Sequence, residues 1–280
     1  LRQSADGLHW TAGASPNMRT DQVVIDPRDP DPRRRFKAAM TNRGFAVSPD
    51  GVNWTRLEVP VVQSFDEANF SYDPTHGLFI HTVKRSGPYG RAVSAATSRD
   101  FVSWDDLGQI FHADEQDQVL GRERIRARFA DPNLYHPPYN DPRVYNVDVY
   151  NMGVFRYESI YLGIPAFFHR FGPGKQGEGP QFAFTTFPLV CSRDLHNWER
   201  VADRAPFIEQ SPIGDGSAYD LGQLGPSNRP IIRNNELLFY YGGYRNRGVT
   251  QEQAWNRESV SYTHLRAHET RHDLVCRLLL

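Results

Sequence analysis

The sequence predicts an all-β fold, a five-bladed β-propeller of four-stranded antiparallel blades that is truncated at both ends. Three observations favour this fold. The 280 residues include 22 glycines, 20 prolines, 17 phenylalanines and 13 tyrosines, a composition typical of many short strands and turns. A tryptophan motif recurs along the chain at the spacing of propeller blades. A second, polar motif recurs upstream of the first.

The tryptophan motif has the pattern S-x-D-x-x-x-W. It occurs at Ser4-Asp6-Trp10, Ser48-Asp50-Trp54, Ser98-Asp100-Trp104 and Ser192-Asp194-Trp198. We expect the Asp to close a hairpin between two outer strands by accepting backbone N–H groups, and the Trp to pack between neighbouring sheets. Both residues are therefore predicted to be structural and not catalytic.

The polar motif has the pattern D-x-x-(N/Q)-apolar and begins the innermost strand of each unit. It occurs at 66–70, 148–152 and 220–224, and 19–23 matches it with Arg in place of the first Asp. An apolar strand follows each occurrence, at 36–40, 78–83, 161–168 and 237–241. Each unit thus contains an inner strand, a second, a third, the tryptophan hairpin and a fourth, which is the plan of a propeller blade.

These repeats divide the chain into one predicted domain over residues 1–250. It contains an outer half-blade at 1–20, full blades at 21–62, 63–108 and 145–209, and an inner half-blade at 215–246, with a long irregular insertion at 105–144. Residues 259–280 change character abruptly and resemble a translated sequencing-adaptor tail, so we predict that they are not native. Their H-E-x-x-H segment at 268–272 is interpreted as a chance match, and neither a metal nor another cofactor is predicted.

The overall charge excludes some classes of partner. With 32 Lys and Arg against 33 Asp and Glu, the chain has no broad basic field for nucleic acid. No apolar run approaches the roughly 18 residues that a membrane helix needs, so no membrane association is predicted. Oligomeric state and compartment stay open, a periplasmic or secreted location included.

Innermost strands line a propeller channel, and their N-terminal ends converge at one mouth. We therefore expect one funnel to be surrounded by Arg19 or Asp21, Asp66 or Glu67, Asp148 and Asp220. One step further in, we expect Gln22, Asn69, Asn151 and Gln223. Carboxyl groups that share a cleft titrate apart, which supplies the acid and the base or nucleophile of glycoside cleavage. Amide side chains nearby suit sugar hydroxyls.

Three segments are S-R-D-F-V-S-W at 98–104, S-R-D-L-H-N-W at 192–198 and E-L-L-F-Y-Y-G-G at 236–243. Through them the chain resembles the five-bladed propeller hydrolases of glycoside hydrolase families 32 and 43, and the resemblance covers about residues 4–246. In those families, three acids from the innermost strands act as base or nucleophile, pKa modulator and general acid. The resemblance implies Asp66 as base or nucleophile, Asp148 as acid and Asp220 as the third acid.

Two further acids are kept in reserve, Glu67 beside Asp66 and Glu158 in the turn after an inner strand. The residues predicted to bind the substrate are Arg19, Asp21, Gln22, Asn69, Asn151 and Gln223. The function predicted is glycosidic bond hydrolysis on a carbohydrate partner. A non-catalytic carbohydrate-binding or scaffold propeller is the main alternative, and a sialidase-like propeller is a further one.

Overall fold

A computed structural model describes residues 2–5, 9–136, 140–172, 183–214, 218, 220–226, 228–233, 236–244 and 262–267. The H-E-x-x-H segment and most of the predicted non-native tail lie outside these residues. The described part of the chain is all-β apart from one α-helix and three short 3-10 turns, and its sheets have a β-propeller arrangement. Four of the sheets are blades.

The first two blades follow the plan predicted from the repeats. Blade I contains β3 (Gln22–Ile25), β4 (Phe36–Met40), β5 (Gly44–Ser48) and β6 (Thr55–Arg56). Blade II contains β7 (Ala68–Asp73), β8 (Leu78–Gly87), β9 (Gly90–Ser98) and β10 (Asp105–Phe111). In both blades, each strand pairs antiparallel with the next one along the chain.

Blades III and IV contain interrupted strands. In blade III, β11 (Asn146–Tyr157) pairs with β12 (Ile160–Arg170), whose other edge is shared by β13 (Ala183–Pro188) and β14 (Val190–Ser192). The outermost positions are β15 (Glu199–Arg200) and β16 (Pro206–Ile208). In blade IV, β17 (Gln223–Pro226) and β18 (Ile231–Arg233) share the inner edge of β19 (Glu236–Tyr244), and β20 (Tyr262–Ala267) pairs with its outer edge.

The prediction of five blades is wrong. Residues 1–20 were expected to be half of an additional blade, but the described residues among them form only the two-stranded ribbon of β1 (Arg2–Gln3) and β2 (Thr11–Ala12). The inner half-blade expected at 215–246 instead belongs to a four-stranded sheet, because β20 from the predicted non-native tail completes it. That residues 259–280 are not native stays a prediction.

The apolar core lies between neighbouring blades. Blades I and II enclose a cluster that includes Phe45, Phe70 and Phe79, and the Trp104 ring stacks on Phe45 with centroids 4.4 Å apart. Blades II and III enclose a second cluster, and blades III and IV a third one around Phe187 and Phe239. Burial of these large side chains between sheets is the main term that stabilises the arrangement.

Three of the four tryptophan motifs form nearly identical hairpin turns, and Asp6 of the first motif lies outside the described residues. In blade II, Oγ of Ser98 donates to Oδ1 of Asp100, which also accepts the amide N–H groups of Val102 and Ser103 at 2.8 Å. Phe101 has φ +61° and donates its N–H to Ser98. The same pattern recurs from Ser48 and from Ser192. These Asp residues are structural, since their carboxylates are occupied by the backbone of their own turns.

The insertion expected to be irregular contains β10 and the helix α1 (Glu115–Ala130). Asp114 caps α1 in a reciprocal capping box with Asp117, and the helix packs on blade III. Gly121 permits this contact, since a Cβ there would lie 2.0 Å from Cγ2 of Val147. Within the described part of the chain, no helix combines the length and the apolar composition needed to cross a bilayer.

The close approach of α1 to blade III predicts that Gly121→Ala destabilises the protein. Alanine favours a helix over glycine by about 1 kcal/mol, but the added methyl meets the stiff, buried Val147 side chain, and such overpacking costs about 1–3 kcal/mol. We expect a lower midpoint of urea unfolding. Gly225→Ala is the matched control, because nothing lies within 4 Å of the methyl added there. Equal midpoints for both variants would contradict the tight contact.

The turn hydrogen bonds also predict a pH dependence of stability. The amides of Ser103 and Val102 lower the pKa of Asp100 to about 2. A carboxyl whose folded pKa is depressed contributes stability above its unfolded pKa, near 4, and loses it as the pH falls towards 2. We expect the melting temperature of Asp100→Asn to fall less steeply between pH 4 and pH 2 than that of the wild type. Parallel curves would contradict this origin.

Candidate active site at the channel mouth

A polar cavity of about 590 Å³ opens at the N-terminal ends of the inner strands. All of its lining residues except Ala68 have polar side chains. Blade I contributes Arg19, Asp21, Gln22, Thr41, Asn42 and Arg43; blade II contributes Asp66, Glu67, Ala68 and Asn69; blade III contributes Asn151. Seven residues of the predicted funnel are therefore brought together: Arg19, Asp21, Gln22, Asp66, Glu67, Asn69 and Asn151.

Two blades hold the segment that leads into β7, from Ser64 to Glu67. Asn42, in the β4–β5 turn, donates its Nδ2 to the Ser64 carbonyl and accepts the Ser64 N–H, both at 2.8 Å. Its φ of +56° is one that asparagine tolerates better than most residues. On the other side, the N–H of Phe65 donates to the Lys84 carbonyl at 3.0 Å. Both acids of this segment are thus placed by backbone contacts.

Asp66 forms a salt bridge through Oδ1 with Lys84 on β8. The lysine side chain is 1% exposed, whereas the aspartate side chain is 60% exposed. Burial lowers the pKa of Lys84, and the negative charge of Asp66 opposes that change. Within the described residues, Oδ2 of Asp66 has no hydrogen-bond partner. A solvent-accessible carboxylate is therefore anchored by a buried ammonium group.

A β-bulge in β11 directs two side chains of blade III towards blade II. Val149 pairs with Phe167 and Met152 with Pro165, so that Tyr150 and Asn151 together oppose a single residue of β12. Pro165 has no N–H to donate to the ladder, which favours an irregularity at this point. Bulges of this kind re-aim side chains. Here Nδ2 of Asn151 donates to Oε2 of Glu67 at 2.8 Å.

Tyr150, the other residue of the bulge, covers Lys84. The lysine Nζ lies 3.3 Å from the centroid of the Tyr150 ring, and the guanidinium carbon of Arg91 lies 4.6 Å from it. The ring also stacks on Phe168. A tyrosine face stabilises cations that are withdrawn from water. The Tyr150 ring therefore stabilises the charges of Lys84 and Arg91 next to the channel mouth.

The amide residues of the funnel also bridge blades. Nε2 of Gln22 in blade I donates to the Ala68 carbonyl of blade II at 2.8 Å and lies 3.4 Å from Oδ1 of Asn69. Asn228, between β17 and β18, donates to the Phe70 carbonyl at 2.5 Å and approaches Oε1 of Gln22 at 3.3 Å. Nδ2 of Asn69 is buried without a partner among the described residues. Buried donors are normally satisfied, so this group could serve a bound hydroxyl.

Blade I supplies two guanidinium groups to the cavity wall. Arg43 donates to Oδ1 of Asp21 at 2.6 Å, and Oδ2 of Asp21 accepts the Thr41 N–H at 2.8 Å. Arg19 is exposed at the same wall, and the structure gives it no ion pair within the described residues. Asp21 is thereby the counter-ion of Arg43, and the charge of Arg19 remains available to a ligand.

Asp148, expected to be the acid, has a different environment. It is 7% exposed, and its two oxygens accept Nε and Nη2 of Arg91, each at 2.8 Å. The β8–β9 hairpin lies against it, since a Cβ on Gly90 would be 2.7 Å from Oδ2. Among the described residues that line the cavity, Asp148 is not found. It acts as a buried counter-ion between blades II and III.

The structure does not bring the other predicted residues to the cavity wall. Asp220 is 2% exposed and accepts a hydrogen bond from the Tyr241 hydroxyl at 3.0 Å. Gln223 is buried at the start of β17. Glu158 is exposed, with φ +49°, in the turn between β11 and β12, at the opposite end of β11 from Asp148. None of them lines the cavity that contains Asp66 and Glu67.

Sequence analysis missed several residues of the site that belong to neither repeat. Asn42 and Arg43 line the cavity, Lys84 pairs with Asp66, and Asn228 contacts Gln22. One signal was available: only three lysines, Lys37, Lys84 and Lys175, stand among the 32 basic residues. Lys175 lies outside the described residues, and both of the others are 1% exposed.

Comparison with known proteins finds distant similarity. No known family profile matches the sequence. A 1,2-beta-oligomannan phosphorylase from Thermoanaerobacter sp. (strain X514) is 23% identical over 128 residues, which is 42% of this chain and 42% of that protein. The similarity thus spans less than half the length of the curated relative.

Solved structures give a similar result. A beta-1,2-mannobiose phosphorylase from Listeria innocua is 16% identical with a TM-score of 0.40, covering 79% of this chain and 47% of the other. A Cellvibrio cellulosa alpha-L-arabinanase is 11% identical with a TM-score of 0.30, covering 82% and 87%. Several of the structural neighbours are glycoside hydrolases or phosphorylases by name. At these identities and TM-scores the likeness assigns no role to any residue of this chain.

The pairing of Asp148 with Arg91 predicts a coupling that can be measured by a double-mutant cycle. Asp148→Asn and Arg91→Gln each leave a largely buried partner uncompensated, so each should lower the free energy of unfolding. The double variant should lose less than the sum, with a coupling of about 1–3 kcal/mol. Urea unfolding of the four proteins measures it. Additive losses would show that the pair has no structural role.

Proposed function

We propose that this protein cleaves glycosidic bonds at the channel mouth, with Asp66 and Glu67 as its reacting carboxyl groups. One observation carries the proposal: two neighbouring carboxyl groups open into the same polar cavity with different partners. Asp66 faces an ammonium group and Glu67 a neutral amide. Two carboxyl groups with different partners can take the two roles of glycoside cleavage, one as nucleophile or base and the other as acid.

In this proposal, Asp66 either attacks the anomeric carbon as a nucleophile, forming a glycosyl ester that water then hydrolyses, or deprotonates the water molecule that attacks that carbon. Glu67 donates a proton to the leaving oxygen as the bond between that oxygen and the anomeric carbon breaks. Asn151 holds one oxygen of Glu67 by donating to it, which leaves the other oxygen to carry the transferred proton. Asp148 would support blade geometry and take no part in proton transfer.

The cavity wall favours a neutral, hydroxyl-rich substrate. Its lining consists of amides, carboxylates, guanidinium groups and a threonine, and no aromatic side chain lines it among the described residues. We expect sugar hydroxyls to bind through hydrogen bonds to residues such as Gln22 and Asn69. Sugar stacking on an aromatic ring would contribute little here.

Phosphorolysis is a second candidate, favoured by Arg19 and Arg43 in the same wall. Guanidinium groups bind phosphate oxygens through paired hydrogen bonds. Inorganic phosphate would then replace water as the group that attacks the anomeric carbon, and the product would be a sugar 1-phosphate. The relative from Thermoanaerobacter and the neighbour from Listeria are both phosphorylases by name.

The test is turnover on a panel of aryl glycosides, β-mannosides, arabinosides, fructosides and sialosides, each with and without inorganic phosphate. We expect Asp66→Asn and Glu67→Gln to lower kcat/KM by at least about 100-fold, the scale of general acid–base catalysis. Asp148→Asn should keep kcat within about threefold under conditions where the variant is folded, because it lies outside the proposed machinery. Chromatography of the products separates free sugar from sugar 1-phosphate.

The alternatives give different results in the same assay. Sugar binding measured by calorimetry, with no turnover on any substrate, would favour the non-catalytic carbohydrate-binding propeller. Cleavage confined to sialosides would favour the sialidase-like alternative, with Arg19 facing the substrate carboxylate. Full activity in both Asp66→Asn and Glu67→Gln would remove the assignment of these two carboxyl groups.

A further inference from the structure

We propose that Lys84 is a positioning residue for Asp66, and that the Tyr150 ring and the Asp66 carboxylate together form the receptor for its ammonium group. The inference rests on the proposed function and extends it to Lys84, which lies outside both sequence repeats, and to Tyr150, a variable position of the inner-strand repeat. Lys84 does not line the cavity itself, so it is expected to act through Asp66 and not on the substrate.

The backbone brings the two residues together before their side chains meet. Phe65 donates its N–H to the Lys84 carbonyl at 3.0 Å, and the Lys84 N–H donates to Oγ of Ser64 at 2.9 Å. The Ser64 hydroxyl also donates to the Glu67 carbonyl. Asp66 lies between these contacts, so its Cα has a fixed position relative to β8, and the salt bridge fixes its carboxylate as well.

The Tyr150 ring explains why the ammonium group stays at this place. The ring centroid lies 3.3 Å from Nζ, and the lysine side chain is 1% exposed. Tyr150 is aimed by the bulge in β11, so blade III closes over a residue of blade II. An ammonium group withdrawn from water in this way needs its counter-charge, and Asp66 provides it at the cavity edge.

The choice of lysine supports a specific role. The chain uses arginine at 29 of its 32 basic positions. The ammonium group is a compact point charge on a thin stem, whereas a guanidinium is a wide planar fork. The space here has an aromatic face on one side and one carboxylate oxygen on the other, and it fits an ammonium group.

Several charged groups act on this pair. Burial lowers the pKa of Lys84, Asp66 and Glu67 oppose that change, and Arg91 adds to it. Across the cavity, the charged groups are Arg19, Asp21 and Arg43, of which the last two compensate each other. Asp66 makes the only direct ion pair with Lys84 in the described part of the chain. Removing the Asp66 charge should therefore affect Lys84 more than it affects any other lysine.

The first experiment titrates lysine side chains by NMR in protein labelled at lysine Cε, in which three signals are expected. Asp66→Asn should displace the Lys84 titration to lower pH by about 1 to 3 pH units, the effect of removing an opposite charge within a few ångströms. Lys37 is the internal reference, because its partners are Asp26 and Asp29, and its signal should be the same in both proteins. An unchanged Lys84 signal would overturn the pairing, whether or not the protein is an enzyme.

The second experiment measures kcat and KM against pH. Lys84→Gln should lower kcat by about 10- to 100-fold through a misplaced Asp66, with little change in KM, and move the acidic limb of the rate profile to higher pH. Tyr150→Leu should have the same direction of effect, and Tyr150→Phe, which keeps the ring, should stay close to wild type. Lys37→Gln is the matched control, a second buried lysine whose loss should lower stability and leave the acidic limb in place.

The outcomes separate the two proposals. If Asp66→Asn keeps its turnover, the proposed function fails, whatever Lys84 does. If Asp66→Asn is inactive while Lys84→Gln and Tyr150→Leu keep the wild-type kcat and pH profile, the function stands and the positioning role is wrong. Should Lys84→Gln not fold, the lysine titration and the two Tyr150 variants still decide the question.

Discussion

The contact between neighbouring innermost strands is the constraint on which the candidate site depends. An inner strand pairs on one side only, so its other edge presents unpaired backbone groups to the channel. In this protein, side-chain amides from other blades satisfy them: Gln22 of blade I reaches the Ala68 carbonyl, and Asn228 of blade IV reaches the Phe70 carbonyl. Thr82 similarly donates to the Met152 carbonyl at 2.6 Å. Residues that would otherwise suit a substrate are thus partly committed to holding the blades together.

The same side chains face the channel and hold the blades together, so some features of the molecule could be predicted from the sequence and others could not. The tryptophan motif and the inner-strand motif locate the strands, because each depends on contacts within a few residues of itself. The position of Asp66, Glu67 and Asn69 at one mouth follows from the same repeat. The blade number was not predictable, because it depends on how separate sheets close on one another. The helix α1 was missed because its buried face is mainly polar, including Asp117, Gln118 and Arg128, and shows no apolar stripe.

The repeat also could not predict which residues contact each acid. Lys84 belongs to a second strand, and Tyr150 faces it only because β11 contains a bulge beside Pro165. A sequence pattern records which residues share a register, and a bulge changes that register by one residue without leaving a gap in the pattern. Two charged groups and one aromatic ring therefore meet at the channel mouth because of an irregularity in one strand. No periodicity in the sequence predicts that irregularity.

Asp66 is exposed and Asp148 is buried because the hairpins of the preceding blades differ in length. The two residues occupy the same place in the repeat, four residues before Phe70 and Met152. In blade II, β8 and β9 contain 10 and 9 residues, long enough for their turn to reach Asp148 and enclose it with Arg91. In blade I, β4 and β5 contain 5 residues each, and their turn reaches only Ser64. Asp66 is left open to the cavity because the hairpin that could have covered it is shorter.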